Sequence, residues 1–165
     1  MKLNHIGLFF FVCLFVFQSC KSIFPKKNLT LLEKNRKISE EFLAENKKKP
    51  GVIVLESGLQ YKIIKAGTGE IPKIGQKIKT HYHGTLIDGT IFHSSVDKNQ
   101  PFSFTLGRAE VIKGWDEAFQ MMPVGSKWII YLPPELAYGE VQTPSEIIQP
   151  NMVLIFEVEL LSIDK

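Results

Sequence analysis

The chain has 165 residues, of which 44% are hydrophobic and 22% charged, enough apolar material for the core of one ordinary domain and too little for two. Lys and Arg number 20 against 17 Asp and Glu, a formal charge of +3, and no long basic run is interleaved with aromatics, so nucleic acid is set aside as a partner. Five of the twelve Phe (Phe9, Phe10, Phe11, Phe15, Phe17) fall at the start of the chain, which marks that segment as an address and not as part of a core.

Behind Lys2, the apolar stretch from Ile6 to Phe17 is too short to span a hydrocarbon layer of ~30 Å as a permanent helix. It has the length of a secretory h-region, so residues 1–19 are expected to be a cleaved signal peptide. The Gln18-Ser19-Cys20 that follows resembles a bacterial lipobox, in which a small residue precedes a cysteine that is lipidated and becomes the mature N-terminus. Phe17 stands where that pattern usually has an aliphatic residue; a plain signal peptide and an uncleaved anchor are the alternatives. Lipid on Cys20 would hold the protein on a membrane, which a charge this small would not. Cys13 lies in the removed segment, leaving Cys20 as the only thiol of the mature chain and excluding an internal disulfide or a metal finger.

Residues 21–29 read as a tether. Thr30-Leu31-Leu32-Glu33 matches a capping box ahead of a polar helical run to about Lys49, where Pro50-Gly51 stops it. Its apolar positions, Leu31, Leu32, Ile38, Phe42 and Leu43, form a narrow, interrupted stripe. Two readings stay open: a solvated stalk lightly docked on the domain, and a dimerising helix, for which the apolar positions are few. Residues 20–50 are thus tether and helix, and the domain is expected over 51–165.

From Val52 the pattern shifts to period two with turn punctuation. Strands are expected over Leu59–Lys65, Lys77–Leu86, Thr90–Phe92, Phe102–Leu106, Lys127–Leu132 and Met152–Ile163. Asp88-Gly89 predicts a type I′ hairpin turn, in which both central residues take positive φ. Gly114 to Met122 carries Trp115, Ala118, Phe119 and Met122 at spacings of three, four and seven, a short amphipathic helix. Many strands without βαβ crossovers and one short helix predict an α+β domain, a curled antiparallel β-sheet wrapped over that helix. The long connection Pro133 to Asn151, with four prolines, is of the kind that usually carries function.

Conventional catalytic equipment is missing: there is no GxSxG, no Walker A and no dinucleotide glycine fingerprint. His81 and His83 share one face of a strand. Pairing about Asp88-Gly89 without a bulge sets His93 across from Gly84, on the face of Tyr82, so the three histidines do not converge and neither metal nor cofactor is expected.

The chain instead carries aromatic and apolar residues in blocks: His-Tyr-His-Gly-Thr-Leu-Ile-Asp-Gly-Thr-Ile-Phe (81–92), Pro-Phe-Ser-Phe-Thr-Leu-Gly (101–107), Glu-Val-Ile-Lys-Gly-Trp-Asp (110–116), Leu-Ala-Tyr-Gly (136–139) and Leu-Ile-Phe-Glu-Val-Glu-Leu-Leu (154–161). Their order and spacing resemble the FK506-binding-protein family of peptidyl-prolyl cis/trans isomerases from about residue 51 to the C-terminus. Residues 42–52 further resemble the Mip-like bacterial envelope subgroup, in which a helix feeds into the domain.

The resemblance implies an apolar pocket floored by Trp115, with Tyr82, Phe92, Phe102, Val111, Ile112, Tyr138, Ile148 and Phe156 around it. Ile112 would offer its backbone N–H, and Tyr138 its phenol, to substrate carbonyls. Taken one at a time, each aromatic could equally be core, as is expected of Phe104 and Phe119. The implied substrates are proline-containing unfolded or exported polypeptides, with FK506- or rapamycin-like macrolides as ligands, at a bacterial envelope. One departure stands out: where the family usually reads Phe-Asp-Ser-Ser, this chain reads Phe92-His93-Ser94-Ser95, replacing an anion at the rim by a group mostly neutral at pH 7. The loop Glu140 to Glu146 also stands where many members are glycine-rich. A binding module or chaperone that keeps the pocket but has lost most catalysis is therefore the competing expectation.

Overall fold

The computed structural model describes residues 30–141 and 143–164, so the signal segment, Cys20 and the tether lie outside the described residues. The capping box forms as expected at the head of α1 (Leu31–Asn46). Thr30 Oγ1 accepts from the Glu33 N–H at 3.3 Å, and Glu33 Oε2 accepts from the Thr30 N–H at 2.9 Å. The helix ends at Asn46, earlier than the expected Lys49, because residues 47–49 tighten into turns on Glu45 O and Asn46 O. Gly51, at φ +81, then redirects the chain.

Seven strands follow: β1 (Val52–Val54), β2 (Gln60–Lys65), β3 (Lys77–Thr85), β4 (Ile91–Ser94), β5 (Phe102–Thr105), β6 (Lys127–Leu132) and β7 (Leu154–Ile163). Helix α2 (Lys113–Phe119) lies between β5 and β6. All pairings are antiparallel, in the order β1-β2-β6-β7-β3. The outer edge of β3 is shared, β4 pairing with residues 83–85 and β5 with residues 77–80. This is the expected α+β sheet; among the described residues of the domain α2 is the one α-helix, joined by a single 3-10 turn at Pro134–Leu136.

Side-chain alternation builds the core. Along β7, Leu154, Phe156, Val158 and Leu160 are buried, while Glu157 and Glu159 alternate with them, Glu157 pairing with Lys127 at 2.6 Å. Opposite them α2 buries Trp115, Ala118 and Phe119, with Met122 just beyond. Close approach is possible because position 114 is glycine: a Cβ there would stand 2.5 Å from Leu132 Cδ2.

The β3–β4 hairpin departs from the expected turn. Leu86 N donates to Thr90 O and Gly89 N to Leu86 O, a three-residue loop in which Gly89 takes φ +85 and Asp88 does not have positive φ. Asp88 instead accepts from the Thr90 N–H at 2.9 Å, which holds its carboxyl below the usual range. A β-bulge then leaves Phe92 unpaired between the pairs Thr85–Ile91 and Gly84–His93. The longer loop and the bulge offset each other, so His93 faces Gly84 as the simpler register has it.

Helix α1 is docked along its length by polar groups. Its buried residues are Asn35, Ser39 and Asn46, whereas Leu31, Leu32 and Ile38 of the apolar stripe stay exposed. Asn46 Nδ2 donates to Gln60 Oε1 at 2.9 Å, and Gln60 Nε2 donates to Leu43 O at 2.9 Å, joining the end of the helix to β2.

Candidate active site

A cavity of about 390 Å³ opens between the start of α2, the β3–β4 hairpin, the head of β5 and the loop after β6. It brings together Tyr82, Phe92, His93, Phe102, Val111, Ile112, Trp115, Tyr138, Ile148 and Phe156, every pocket residue singled out in the sequence. Glu110 and Ser145 also line it.

Trp115 is the centre of the aromatic arrangement and only 4% exposed. Edge-on contacts join it to Tyr82 (centroids 4.9 Å apart), Phe156 (5.2 Å), Phe119 (5.6 Å) and Phe102 (6.1 Å). Its Nε1 is buried and has no hydrogen-bond partner among the described residues, so packing alone orients the indole. Floor and core are one residue here: the ring that lines the cavity also packs on Phe104 and Phe119, both buried as expected.

The bulge at Phe92 aims that ring at Phe156, 5.4 Å away at an interplanar angle of 89°. Gly84 makes room: a Cβ there would lie 2.7 Å from two ring carbons of Phe92 and 3.0 Å from one of Phe156. Ile112 is the N-cap of α2, at φ −62 and ψ 147, so its N–H precedes the helix's own hydrogen-bond ladder. The loop leading to it is held by two carboxylates, Glu110 accepting from Thr105 N and Asp116 from Gly107 N.

At the rim, Tyr82 stacks on His93 with centroids 5.4 Å apart, and its hydroxyl is hydrogen-bonded to His93 Nδ1. On the far side His93 Nε2 accepts from Lys98 Nζ at 2.8 Å. Burial raises the Tyr82 phenol above its usual range, with Tyr138 nearby adding to the effect, which keeps Tyr82 a protonated donor. Tyr138, 45% exposed, caps the other side of the opening. His81 and His83 lie on the opposite face, His81 Nδ1 against Ser95 Oγ at 3.0 Å and His83 Nδ1 near Asp97 at 3.9 Å.

Sequence reading missed four contributors. Gly84 and Glu110 sit inside blocks already quoted, but no property of a glycine or a rim carboxylate marks it when read alone. Lys98 and Ser145 lie in polar segments without a pattern, and only the fold brings Ser145 to the cavity wall and Lys98 against His93.

The chain matches the model of "FKBP-type peptidyl-prolyl cis-trans isomerase" over residues 68–161, and that of the "domain amino terminal to FKBP-type peptidyl-prolyl isomerase" over 16–63. It is 54% identical to the FKBP-type isomerase FkpA of Aeromonas hydrophila over 131 residues, which is 79% of this chain and 47% of that one. To the outer membrane protein MIP of Legionella longbeachae it is 47% identical over 133 residues, 81% of this chain and 56% of the other. It thus spans about half the length of these curated relatives. A crystal structure of a peptidyl-prolyl cis-trans isomerase from Pseudomonas syringae superposes with a TM-score of 0.75 at 36% identity, covering 83% of this chain and 98% of that one. The aromatic cavity, the sheet curled over α2 and the match across more than half of the sequence have one common origin: the chain belongs to the FKBP-type peptidyl-prolyl cis-trans isomerase family.

Proposed function

We propose that the protein catalyses cis/trans rotation of X-Pro bonds in exported, unfolded polypeptides, without a covalent intermediate. The observation that carries this reading is the cavity itself, in which Tyr82, Phe102 and Phe156 meet the Trp115 indole edge-on and Ile112 and Tyr138 share the lining. Amide rotation is slow because resonance holds the bond planar, with a barrier of about 18–20 kcal/mol. The twisted transition state loses that resonance and much of its charge separation. A dry aromatic wall disfavours the dipolar planar form more than the twisted one, which is the differential binding that catalysis requires. With the proline ring against Trp115, the Ile112 N–H and the Tyr138 phenol would fix the flanking carbonyls. A ten-thousandfold acceleration asks for only about 5–6 kcal/mol. A few oriented hydrogen bonds and one desolvated ring are of that size.

In this reading Tyr82, Phe92, His93, Ile112, Trp115 and Tyr138 would act at the twisting bond, and Phe102, Val111, Ile148 and Phe156 would hold the neighbouring residues; all ten line the one cavity. The same apolar volume suits FK506- or rapamycin-like macrolides. The domain would run over residues 51–165, behind a signal peptide at 1–19 and a tether with α1 over 20–50. Lipid on Cys20 would anchor it at a bacterial envelope; the Legionella relative is named an outer membrane protein.

A binding module or chaperone is the second reading, favoured by His93 at the rim. Proline-limited refolding of a reporter protein separates the two. An isomerase accelerates the slow phase at substoichiometric amounts, whereas a holdase suppresses aggregation only near equimolar ratio and leaves that phase unchanged.

A further inference from the structure

Burying amide and hydroxyl groups is unfavourable unless each finds a partner. The buried polar residues of α1 find most of theirs at the end of the long loop that follows β6. Asn35 Nδ2 donates to Pro150 O at 3.0 Å. Ser39 Oγ donates to Asn151 O at 2.7 Å and accepts from Val153 N at 3.1 Å. In return Asn151 Nδ2 donates to Leu32 O at 3.3 Å. Farther up the loop, Arg36 reaches Glu140 at 2.7 Å and Glu135 at 3.5 Å, one on each side of Tyr138. These two pairs are exposed and contribute little by themselves.

Asn151 is the junction. It is only 2% exposed and takes φ +59, a left-handed conformation that asparagine tolerates better than most residues. Its N–H donates to Gly139 O at 2.7 Å, which closes the base of the segment between Tyr138 and Ile148. One residue therefore ties the ends of the pocket loop together and, through its side chain and carbonyl, ties that closure to α1. A loop of this length is ordinarily mobile, and a donor contributes to catalysis in proportion to how well it is held beforehand.

We propose that α1 is a brace of the pocket, in which Ser39 and Asn151 are positioning residues that fix Tyr138 and Ile148 at the mouth. A helix outside the cavity thereby sets the activity of the site. This inference rests on the cavity being a prolyl site, and it makes α1 neither a solvated stalk nor a dimerising surface first.

The test uses the full chain carrying Ser39→Ala. Its kcat/KM on a prolyl peptide should fall about fivefold or more, in the range of coupled neighbouring residues. Amide exchange at Ala137, Gly139 and Val141 should speed up, while that of β6 stays as it was. Ser39→Thr, which keeps the hydroxyl, should restore both. In a Tyr138→Phe background the Ser39→Ala loss should shrink, because its effect passes through Tyr138. Asn151→Gly, which retains the positive φ and the bond to Gly139 while removing the bond to Leu32, provides a second variant that stays folded and should show the same loss. Wild-type protein without turnover removes the prolyl-site reading and the brace with it. Wild-type turnover with unchanged exchange at 137–141, or with the same loss in both backgrounds, overturns the brace alone.

Discussion

The Tyr82 hydroxyl and His93 Nδ1 are hydrogen-bonded at the mouth of the cavity, and the other side of the same imidazole accepts from Lys98 Nζ. An ammonium has only donors, so Nε2 must carry the lone pair and Nδ1 the proton. His93 then donates to Tyr82, leaving the phenol's own proton free to turn toward the pocket. An aspartate at position 93 would reverse this, accepting from Tyr82 and pairing with Lys98. His93→Asp is therefore expected to raise turnover at neutral pH. Turnover of both proteins on one prolyl peptide checks this; a variant no faster than wild type would exclude position 93 from the working site.

Trp115 joins the pocket to the core through its contacts with Phe102, Phe104, Phe119 and Phe156. Trp115→Leu should lower turnover at least about tenfold, the lost aromatic surface being worth a few kcal/mol. It should also cost roughly 2–4 kcal/mol of stability, as truncation of a packed aromatic does. Urea unfolding and turnover, measured on the same sample well below the midpoint, separate the two effects. Turnover per folded molecule equal to wild type would reduce Trp115 to a core residue.

How much of this was legible depended on the range of the interactions. The alternation of Leu154, Phe156, Val158 and Leu160 and the spacing around Trp115 are local; β7 forms where its periodicity puts it, and α2 forms around Trp115 but ends at Phe119, short of the expected Met122. Position 93 faces Gly84 only because a three-residue loop and the bulge at Phe92 offset each other, and neither can be read from Asp88-Gly89. A light docking of α1 is among the expectations from sequence, but the groups that make it are not legible there. The partners of Asn35 and Ser39 are backbone groups of Pro150, Asn151 and Val153, more than a hundred positions away, and hydrophobic patterning scores Asn35 and Ser39 as solvent-facing.

Gly84 shapes the pocket by what it lacks. Gly84→Ala would place a methyl 2.7 Å from the Phe92 ring and 3.0 Å from that of Phe156, neither of which can retreat without opening the aromatic wall. Overpacking of this kind costs about 1–3 kcal/mol. The domain should stay folded with a lowered unfolding midpoint, and kcat/KM should drop several-fold as Phe92 leaves the cavity. A crystal structure of the variant with Phe92 unmoved, together with unchanged turnover, would show that this wall does not touch the substrate.

The proposed membrane attachment rests on one side chain. Cys20 follows a small residue and an apolar run, the pattern read by a lipoprotein-processing peptidase, and it lies outside the described residues. One acyl chain gives only marginal, reversible binding to a bilayer, so stable anchoring of a protein this weakly charged requires more than one chain on the same residue. Cys20→Ser should therefore leave a precursor that is neither lipidated nor cut at that site, and that takes up no radiolabelled fatty acid. Its isomerase turnover should match wild type, because among the described residues none before Tyr82 lines the pocket and the brace formed by α1 begins only at Leu31. Gel mobility, fatty-acid labelling and membrane fractionation of the two proteins decide the matter: equal labelling, or equal release from the membrane by salt, would end the lipoprotein reading.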